Sequence, residues 1–506
     1  MATTVPALDR ARYRDDPSAI TVLRNPRLLT REALAGLVVA LALIPEAISF
    51  SIIAGVDPAV GLFSSFIMAV TIAFVGGRPA MISAATGAVA LVIAPIMREH
   101  GFDYFIATVL LAGVLQIVLA VLGVAKLMRF IPRSVMVGFV NALAILIFLA
   151  QIPHLVGVPW LVYPLTAVAL AILVLLPRVQ KVVPAPLIAI VVLTAAVLLF
   201  GWSVPNVADQ GELPSSLPAL FVPDVPLTLE TLGIIGPTAL AMALVGLMES
   251  LMTAKLVDDI TDTRSNKTRE SWGQGVANLA SGIFGGMGGC AMIGQTMINV
   301  KVSGARSRIS TFLAGLFLLI LVVVLGDIVG LIPMAALVAV MVMVSVGTFD
   351  WHSISPSTLK RMPVSETLVM VVTVVVVVAT SNLAIGVVVG VVVAMVLFAR
   401  RVAHFASVTR EVRTSDGGTA VHYTVEGELF FASSNDLTTQ FSYTDDPDHV
   451  VIDLSRSHIW DASTVASLDA IETKYGRLGK RVELHGLNAA SVSMRERMSG
   501  QLGGEG

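Results

Sequence analysis

Long apolar stretches, each close to 20 residues and separated by short polar or basic turns, recur from residue 33 to residue 399. A helix needs roughly 20 such residues to cross about 30 Å of hydrocarbon. The pattern predicts spans at 33–54, 57–76, 83–97, 103–124, 134–152, 160–176, 183–201, 229–257, 271–285, 290–300, 307–327, 330–347, 364–380 and 383–399. The third and tenth are too short to cross a bilayer as helices. From about Ala403 the pattern changes. Val421 to Phe431 alternates like a strand, Val450 to Leu454 reads as a buried strand, Ala462 to Leu478 as an amphipathic helix and Arg481 to Leu484 as another strand. The chain is therefore expected to comprise a polar N-terminal segment (1–30), a polytopic α-helical membrane domain (31–402) and a small soluble α/β domain (403–506).

Basic residues set the expected orientation. Lys126, Arg129 and Arg133 follow the fourth span, Arg178 and Lys181 the sixth, Lys255, Arg264, Lys267 and Arg269 the eighth, Lys301, Arg306 and Arg308 the tenth, and Lys360 and Arg361 the twelfth. The loop from Trp202 to Glu230 has neither Lys nor Arg. Positive charge stays on the cytoplasmic side, so even-numbered ends, the Arg-rich leader and both termini are expected there. The leader lacks the apolar run of a cleavable signal peptide, so the first span is expected to act as the insertion signal.

Composition agrees with a membrane protein: 56% of residues are hydrophobic and 13% charged, against roughly 25% charged in soluble domains. A net charge of −2 gives no reason to expect a nucleic-acid partner. The single cysteine, Cys290, excludes an intramolecular disulfide or a cysteine-built metal cluster. The eight histidines show no metal-ligand spacing; His100, His154 and His352 fall in predicted loops. No cofactor or metal is expected, and no phosphate-binding glycine loop or hydrolytic triad suggests an enzyme.

The candidate chemistry lies inside the spans. Glu46 is the only charge between Gly36 and Val56, and Glu249 sits near the middle of Thr231 to Val257. A carboxylate at membrane depth costs several kcal/mol on contested scales and usually faces a cavity or partner. Glu249 and Thr253 share a helix face at i,i+4 and could hold a proton or a sodium ion. Glu46 follows Pro45, where a kink frees carbonyls. The two short spans also resemble each other: Gly76 to Ala90 and Gly285 to Asn299 each run from paired glycines through small residues to a threonine. Seven spans separate the copies, so the second is inverted. Helices that start part-way through the bilayer present unpaired N–H groups and a partly positive end, and two such ends form an anion site. Small side chains at Ala84, Ala85, Gly289, Cys290 and Ala291, with Thr86, would let a ligand reach the backbone. The bland alternative is tight packing of small residues between helices, with each glutamate a neutral hydrogen-bonded carboxyl. Lys255, Asp258 and Asp259 read as interfacial anchors, and Asn141 as interhelical glue.

Together Glu249-Ser250-Leu251-Met252-Thr253-Ala254, Thr261, Gln274-Gly275-Val276-Ala277-Asn278, Gly285-Gly286, Leu43-Ile44-Pro45-Glu46-Ala47-Ile48 and Gly76-Gly77-Arg78-Pro79 closely resemble the sulfate permease family of anion transporters. The resemblance implies fourteen spans as a seven-plus-seven inverted repeat. Spans one to four and eight to eleven would form a core; spans five to seven and twelve to fourteen would form a gate. It further implies a cytoplasmic STAS domain and a homodimer in the cell membrane. In sodium-coupled bicarbonate members the position of Glu249 looks to be aspartate, and the position of Thr253 helps bind the ion. Glutamate here resembles members thought to be proton-coupled. Many eukaryotic members carry glutamine at the position of Glu46, a departure from a simple chloride or sulfate exchanger. In related regulatory domains a serine in the stretch matching Asp461-Ala462-Ser463-Thr464 is phosphorylated; alternatively Asp461 or Ser463 caps the helix. The expected function is secondary active transport of a small anion (dicarboxylate, bicarbonate or sulfate), proton-coupled, by movement of core against gate. A nucleobase/proton symporter of related fold, an anion channel and a membrane-tethered regulator are the competing readings.

Overall fold

The computed structural model describes residues 17–123, 131–179, 184–213, 216–403, 407–415 and 418–499. The chain divides into two compact units, Met1–Val391 and Val392–Gly506. The division falls inside the last long apolar helix, Leu383–Ala403. Most of the expected N-terminal segment lies outside the described residues.

The first unit contains α1 (Ala19–Arg24), α2 (Pro26–Ala54), α3 (Pro58–Val75), β1 (Ser83–Ala84), α4 (Gly87–Val121), α5 (Arg133–Leu149), α6 (Val162–Val179), α7 (Ala185–Phe200), α8 (Leu229–Thr261), α9 (Lys267–Ile283), β2 (Cys290–Ala291), α10 (Ile293–Met297), α11 (Arg308–Gly330), α12 (Met334–Thr348), α13 (Pro356–Arg361), α14 (Val364–Thr380) and the start of α15 (Leu383–Ala403). Among the described residues, eight helices are long and apolar enough to cross a bilayer, and three further apolar helices are shorter. Asn25, Thr228, Asn266 and Ser307 cap α2, α8, α9 and α11 through their side-chain oxygens, satisfying first-turn N–H groups. Within α4 the third and fourth predicted segments are two helices joined across a kink at Gly101, whose φ of 83° is left-handed.

Helices α2, α3, α4, α8, α9 and α11 pack on one another, and α5 with α14 and α12 with α6 form a second group. Small residues permit the close crossings: a Cβ at Gly275 would stand 2.6 Å from the Gly113 carbonyl, so α9 meets α4 backbone to backbone. In the second group Asn141 donates to Ser353 Oγ and accepts from the Asp350 N–H, tying α5 to the turn after α12. The Lys- and Arg-free loop is strapped along its length. Val207 N–H donates to Ile332 O and Met334 N–H to Pro205 O. Farther on, Glu212 N–H donates to Asp57 and Asp224 N–H to Asp103.

Buried charge holds the helix ends that carry most of the basic residues. Glu270 accepts from Gly77 N–H (2.7 Å) and Arg78 N–H (3.0 Å). Glu32 accepts from Arg306 N–H and from Ser307 through both its N–H and hydroxyl. Arg269 and Arg308 donate to the last carbonyls of α3, at Phe74, Val75, Ala73 and Gly76. Of the expected interfacial anchors, Lys255 pairs with Asp259 on the surface. Asp258 instead pairs with Arg78 and Lys267, because the turn after α8 folds back over the loop that follows α3.

The second unit carries a four-stranded mixed sheet, ordered β3 (Ser407–Ser415), β4 (Gly418–Leu429), β5 (His449–Ile459) and β6 (Arg481–His485). The first pair is antiparallel; the other two are parallel. Helices α16 (Phe431–Leu437), α17 (Ala462–Arg477) and α18 (Ala489–Met498) accompany it. Tyr423, Val450, Ile452, Leu468 and Tyr475 lie in its core. The strand β3 was not expected: its sequence SVTREVRTS is polar at an exposed edge, so the alternation is weak. Asp461 caps α17 by accepting from Thr464 N–H, while Ser463 in the first turn is exposed.

Candidate functional site

The site begins where two helices are prevented from continuing. Paired glycines and Pro79 end α3, and Gly285, Gly286, Gly288 and Gly289 follow α9. The chain then runs extended through β1 and β2, which pair antiparallel with Ser83 opposite Ala291 and Ala84 opposite Cys290. Only glycine fits at 289, where a Cβ would stand 1.9 Å from the Ala84 carbonyl oxygen. Immediately after the crossing the chain turns helical on both sides, as α4 and as α10, the latter continuing into a wide π turn at Ile298–Val302.

Buried polar side chains hold the crossing in register. Asn278 accepts from Gly289 N–H (2.8 Å) and donates to Gly289 O (3.1 Å) and Gln116 Oε1 (2.8 Å). Gln274 donates to Ser83 Oγ. Ser65 accepts from Ala85 N–H, Ser250 from Ala291 N–H and Thr296 from Ile82 N–H. The backbone donors of Ile82, Ala85, Gly289 and Ala291 thus end on protein, as burial demands. Gln274 and Asn278 were visible in the sequence only as part of a family motif; their i,i+4 spacing on one face of α9 was the available signal.

The expected site residues therefore separate into two groups. Ala84, Ala85, Gly289, Cys290 and Ala291 are buried in the crossing, and they do not line the cavity beside it. That cavity, of about 370 Å³, is lined by Thr86, Gly87 and Ala88 at the start of α4 and by Met292, Ile293 and Gly294 at the start of α10. Glu46 and Phe50 of α2, Glu249 and Met252 of α8, four residues of α5 and three of α12 complete it. The opening lies one to three residues past Ala85 and Ala291 because the paired strands bury one another. Thr86 caps α4 by accepting from Val89 N–H at 3.4 Å, whereas Met292 offers α10 no side-chain cap.

The two glutamates reach the same cavity from helices of opposite repeats. Glu46 Oε1 accepts from Gln295 Nε2 at 2.8 Å, and Glu249 Oε2 accepts from Cys290 Sγ at 2.9 Å. Cys290 Sγ also lies 3.1 Å from Thr86 Oγ1. Thr253 stands one turn from Glu249 as expected, but its hydroxyl donates to Glu249 O (2.8 Å) and lies 3.4 Å from Ala291 O, away from the cavity. Among the described residues, no lysine, arginine or histidine lines the cavity. The chemical result is a pocket with helix N-termini on two sides and two carboxyls that lack a cationic partner.

The sulfate permease family pattern matches residues 29–164 and 159–373, most of the chain. The protein belongs to the sulfate permease family. The STAS domain pattern matches residues 410–498, so this member carries a C-terminal STAS domain, the mixed sheet described above. A relative described as putative sulfate transporter YbaR, from Bacillus subtilis, is 51% identical over 475 residues, covering 93% of this chain and 97% of its own. The transmembrane domain of a cyanobacterium bicarbonate transporter, BicA, aligns with a TM-score of 0.63 and 26% identity over 71% of this chain and 97% of that domain. The murine Solute Carrier 26 family member A9 anion transporter, in an inward-facing state, aligns with a TM-score of 0.79 over 98% of this chain and 92% of its own. At 17% identity that likeness speaks for the fold alone. This family member is thus a membrane-spanning protein of an anion-transporter family.

Proposed function

We propose that this sulfate permease family member is a proton-coupled secondary active transporter of a small anion. The observation that carries this reading is the cavity at the paired half-helix N-termini, into which Glu46 and Glu249 project without any basic side chain. Uncapped N–H groups and converging dipoles favour an anion. Glu46, Glu249 and, behind them, Thr253 supply the coupling function; Thr86 stands at the substrate position, and Ala84, Ala85, Gly289, Cys290 and Ala291 form the crossing that positions it. Helices α5 and α12, on the far wall, belong to the gate, against which the core moves. Fourteen spans in a seven-plus-seven repeat, cytoplasmic termini, a location in the cell membrane and a homodimer complete the proposal.

The names of the relatives suggest the anions to try first. Purified protein in liposomes is to be tested with radiolabelled sulfate, bicarbonate and fumarate under imposed proton or sodium gradients. Accumulation above equilibrium driven by an inward proton gradient without sodium is expected. Strictly sodium-dependent uptake, or uptake that only equilibrates, would overturn the reading.

A further inference from the structure

We infer that two protons, one on Glu46 and one on Glu249, accompany each anion through the cavity. The inference rests on the proposed proton-coupled reading and adds its stoichiometry. The elements around the cavity are α2, α4, α5, α8, α10 and α12; among the described residues, the titratable groups that line it are the two glutamates, and Cys290 of β2 touches Glu249. Of the basic residues near the lining segments in sequence, Lys255 pairs with Asp259 and Arg78 with Asp258, Thr261 and Thr263, while Arg133 and Lys301 are exposed. An anion entering this space meets two carboxyls and no counter-charge. Like charges in a poorly solvated pocket repel strongly, and the half-helix ends supply only partial positive charge. Binding therefore requires both carboxyls to be neutral.

The partners of both carboxyls suit a change of protonation. Gln295 donates to Glu46, yet its Oε1 is buried without a partner. With the amide turned, the same side chain accepts from a protonated Glu46. The Cys290 thiol lies between Glu249 and Thr86. When Glu249 is ionised, the thiol donates to it. When Glu249 is protonated, its O–H donates to sulfur and the thiol proton turns to the Thr86 hydroxyl. An arginine or lysine partner would have fixed the ionised form instead. In each carboxyl the single proton is then held by this protein partner, so protonation removes a repulsion, and the donors to the anion are the N–H groups where the half-helices begin. Charge balances as two protons plus one anion: a divalent anion crosses with no net charge, a monovalent one with one positive charge.

The full-length protein in liposomes, with the membrane potential clamped at zero, tests this with labelled sulfate, bicarbonate and fumarate in turn. Steady accumulation is expected to rise about a hundredfold per unit of pH gradient, because each coupled proton contributes a factor of about ten. In Glu46→Gln the slope is expected to fall to about tenfold. A slope of tenfold in the parent overturns the two-proton inference and leaves proton coupling standing. A slope of zero overturns both. If none of the three anions accumulates or the variant is inactive, an infrared pH titration of the purified parent, Glu46→Gln and Glu249→Gln proteins decides. Two protonated-carboxyl bands, each removed by one substitution, support the inference; absence of either band overturns it.

Discussion

Replacing Asn278 by alanine tests whether the crossed strands position the site. The side chain is fully buried and makes three hydrogen bonds, two to the backbone of Gly289 and one to Gln116. Hydrogen bonds between membrane helices average about 0.6 kcal/mol, which gives a minimum near 2 kcal/mol for three. That average applies when the freed groups find other partners. Here the Gly289 N–H and C=O are enclosed by Ala84 and by α9, and a stranded buried group costs about 1–3 kcal/mol. We therefore expect a loss of about 3 kcal/mol, read as a lower melting temperature of purified protein. Because Gly289 leads directly into Cys290 and the start of α10, anion affinity should also fall by about tenfold or more, equivalent to about 1.4 kcal/mol. Asn278→Asp keeps the acceptor for Gly289 N–H and should lie between. Val324→Ala, at a position 73% exposed on the apolar surface of α11, should change neither quantity. Parent-like melting and affinity in Asn278→Ala would refute the argument that this amide sets the register.

Glu249→Gln keeps shape and hydrogen bonding but cannot release a proton, so gradient-driven accumulation should vanish while downhill exchange survives; parent-like accumulation would make Glu249 structural. Gly294→Leu or Gly347→Leu should abolish anion binding in a folded protein, since a Cβ at either position meets nothing within 4 Å and the added side chain projects into the cavity they line; normal affinity in both variants would exclude this cavity. In the STAS domain, Asp446→Asn should cost about 2 to 3 kcal/mol in a melting assay, because the buried carboxylate accepts from Tyr423, Tyr475 and Arg410. Burial first, and then the hydrogen bond to Asp446, push the Tyr475 hydroxyl well above the usual tyrosine range. Its contribution to stability is complete below the unfolded value near pH 10 and is lost as pH rises above it; a domain melting temperature constant from pH 8 to 11 would contradict this.

The apolar runs located the helices because hydrocarbon length and continuous hydrophobicity leave little choice. Gly76, Gly77, Pro79 and the glycines after α9 likewise announced two of the breaks, whereas the kink at Gly101 was seen only in the fold. The sequence also marked Glu46 and Glu249, since an isolated carboxyl in such a run needs a cavity or partner, but that both line one cavity is seen only in the fold. The pairing of those breaks was less legible. Ala85 and Ala291 were expected to meet a ligand, yet each N–H bonds to a serine on another helix, and the cavity opens at Thr86 to Ala88 and Met292 to Gly294. That displacement depends on the register between segments more than 200 residues apart, which no local pattern encodes. Glu32, Glu270 and Asp258 were hidden for the opposite reason: near the basic turns they read as solvated charge, whereas the fold turns each onto backbone N–H groups or buried cations. Cys290, whose sequence context marked only a small residue, lies between Glu249 and Thr86.

The central claim is that the anion binds where the two half-helices begin. An experimental structure of the full-length protein, prepared at low pH with the anion it accumulates, tests this most directly. Density is expected in the cavity between Gly87–Ala88 and Ile293–Gly294, within hydrogen-bond reach of their N–H groups and beside Glu46 and Glu249. An anion resolved elsewhere, with this cavity empty, would contradict the account.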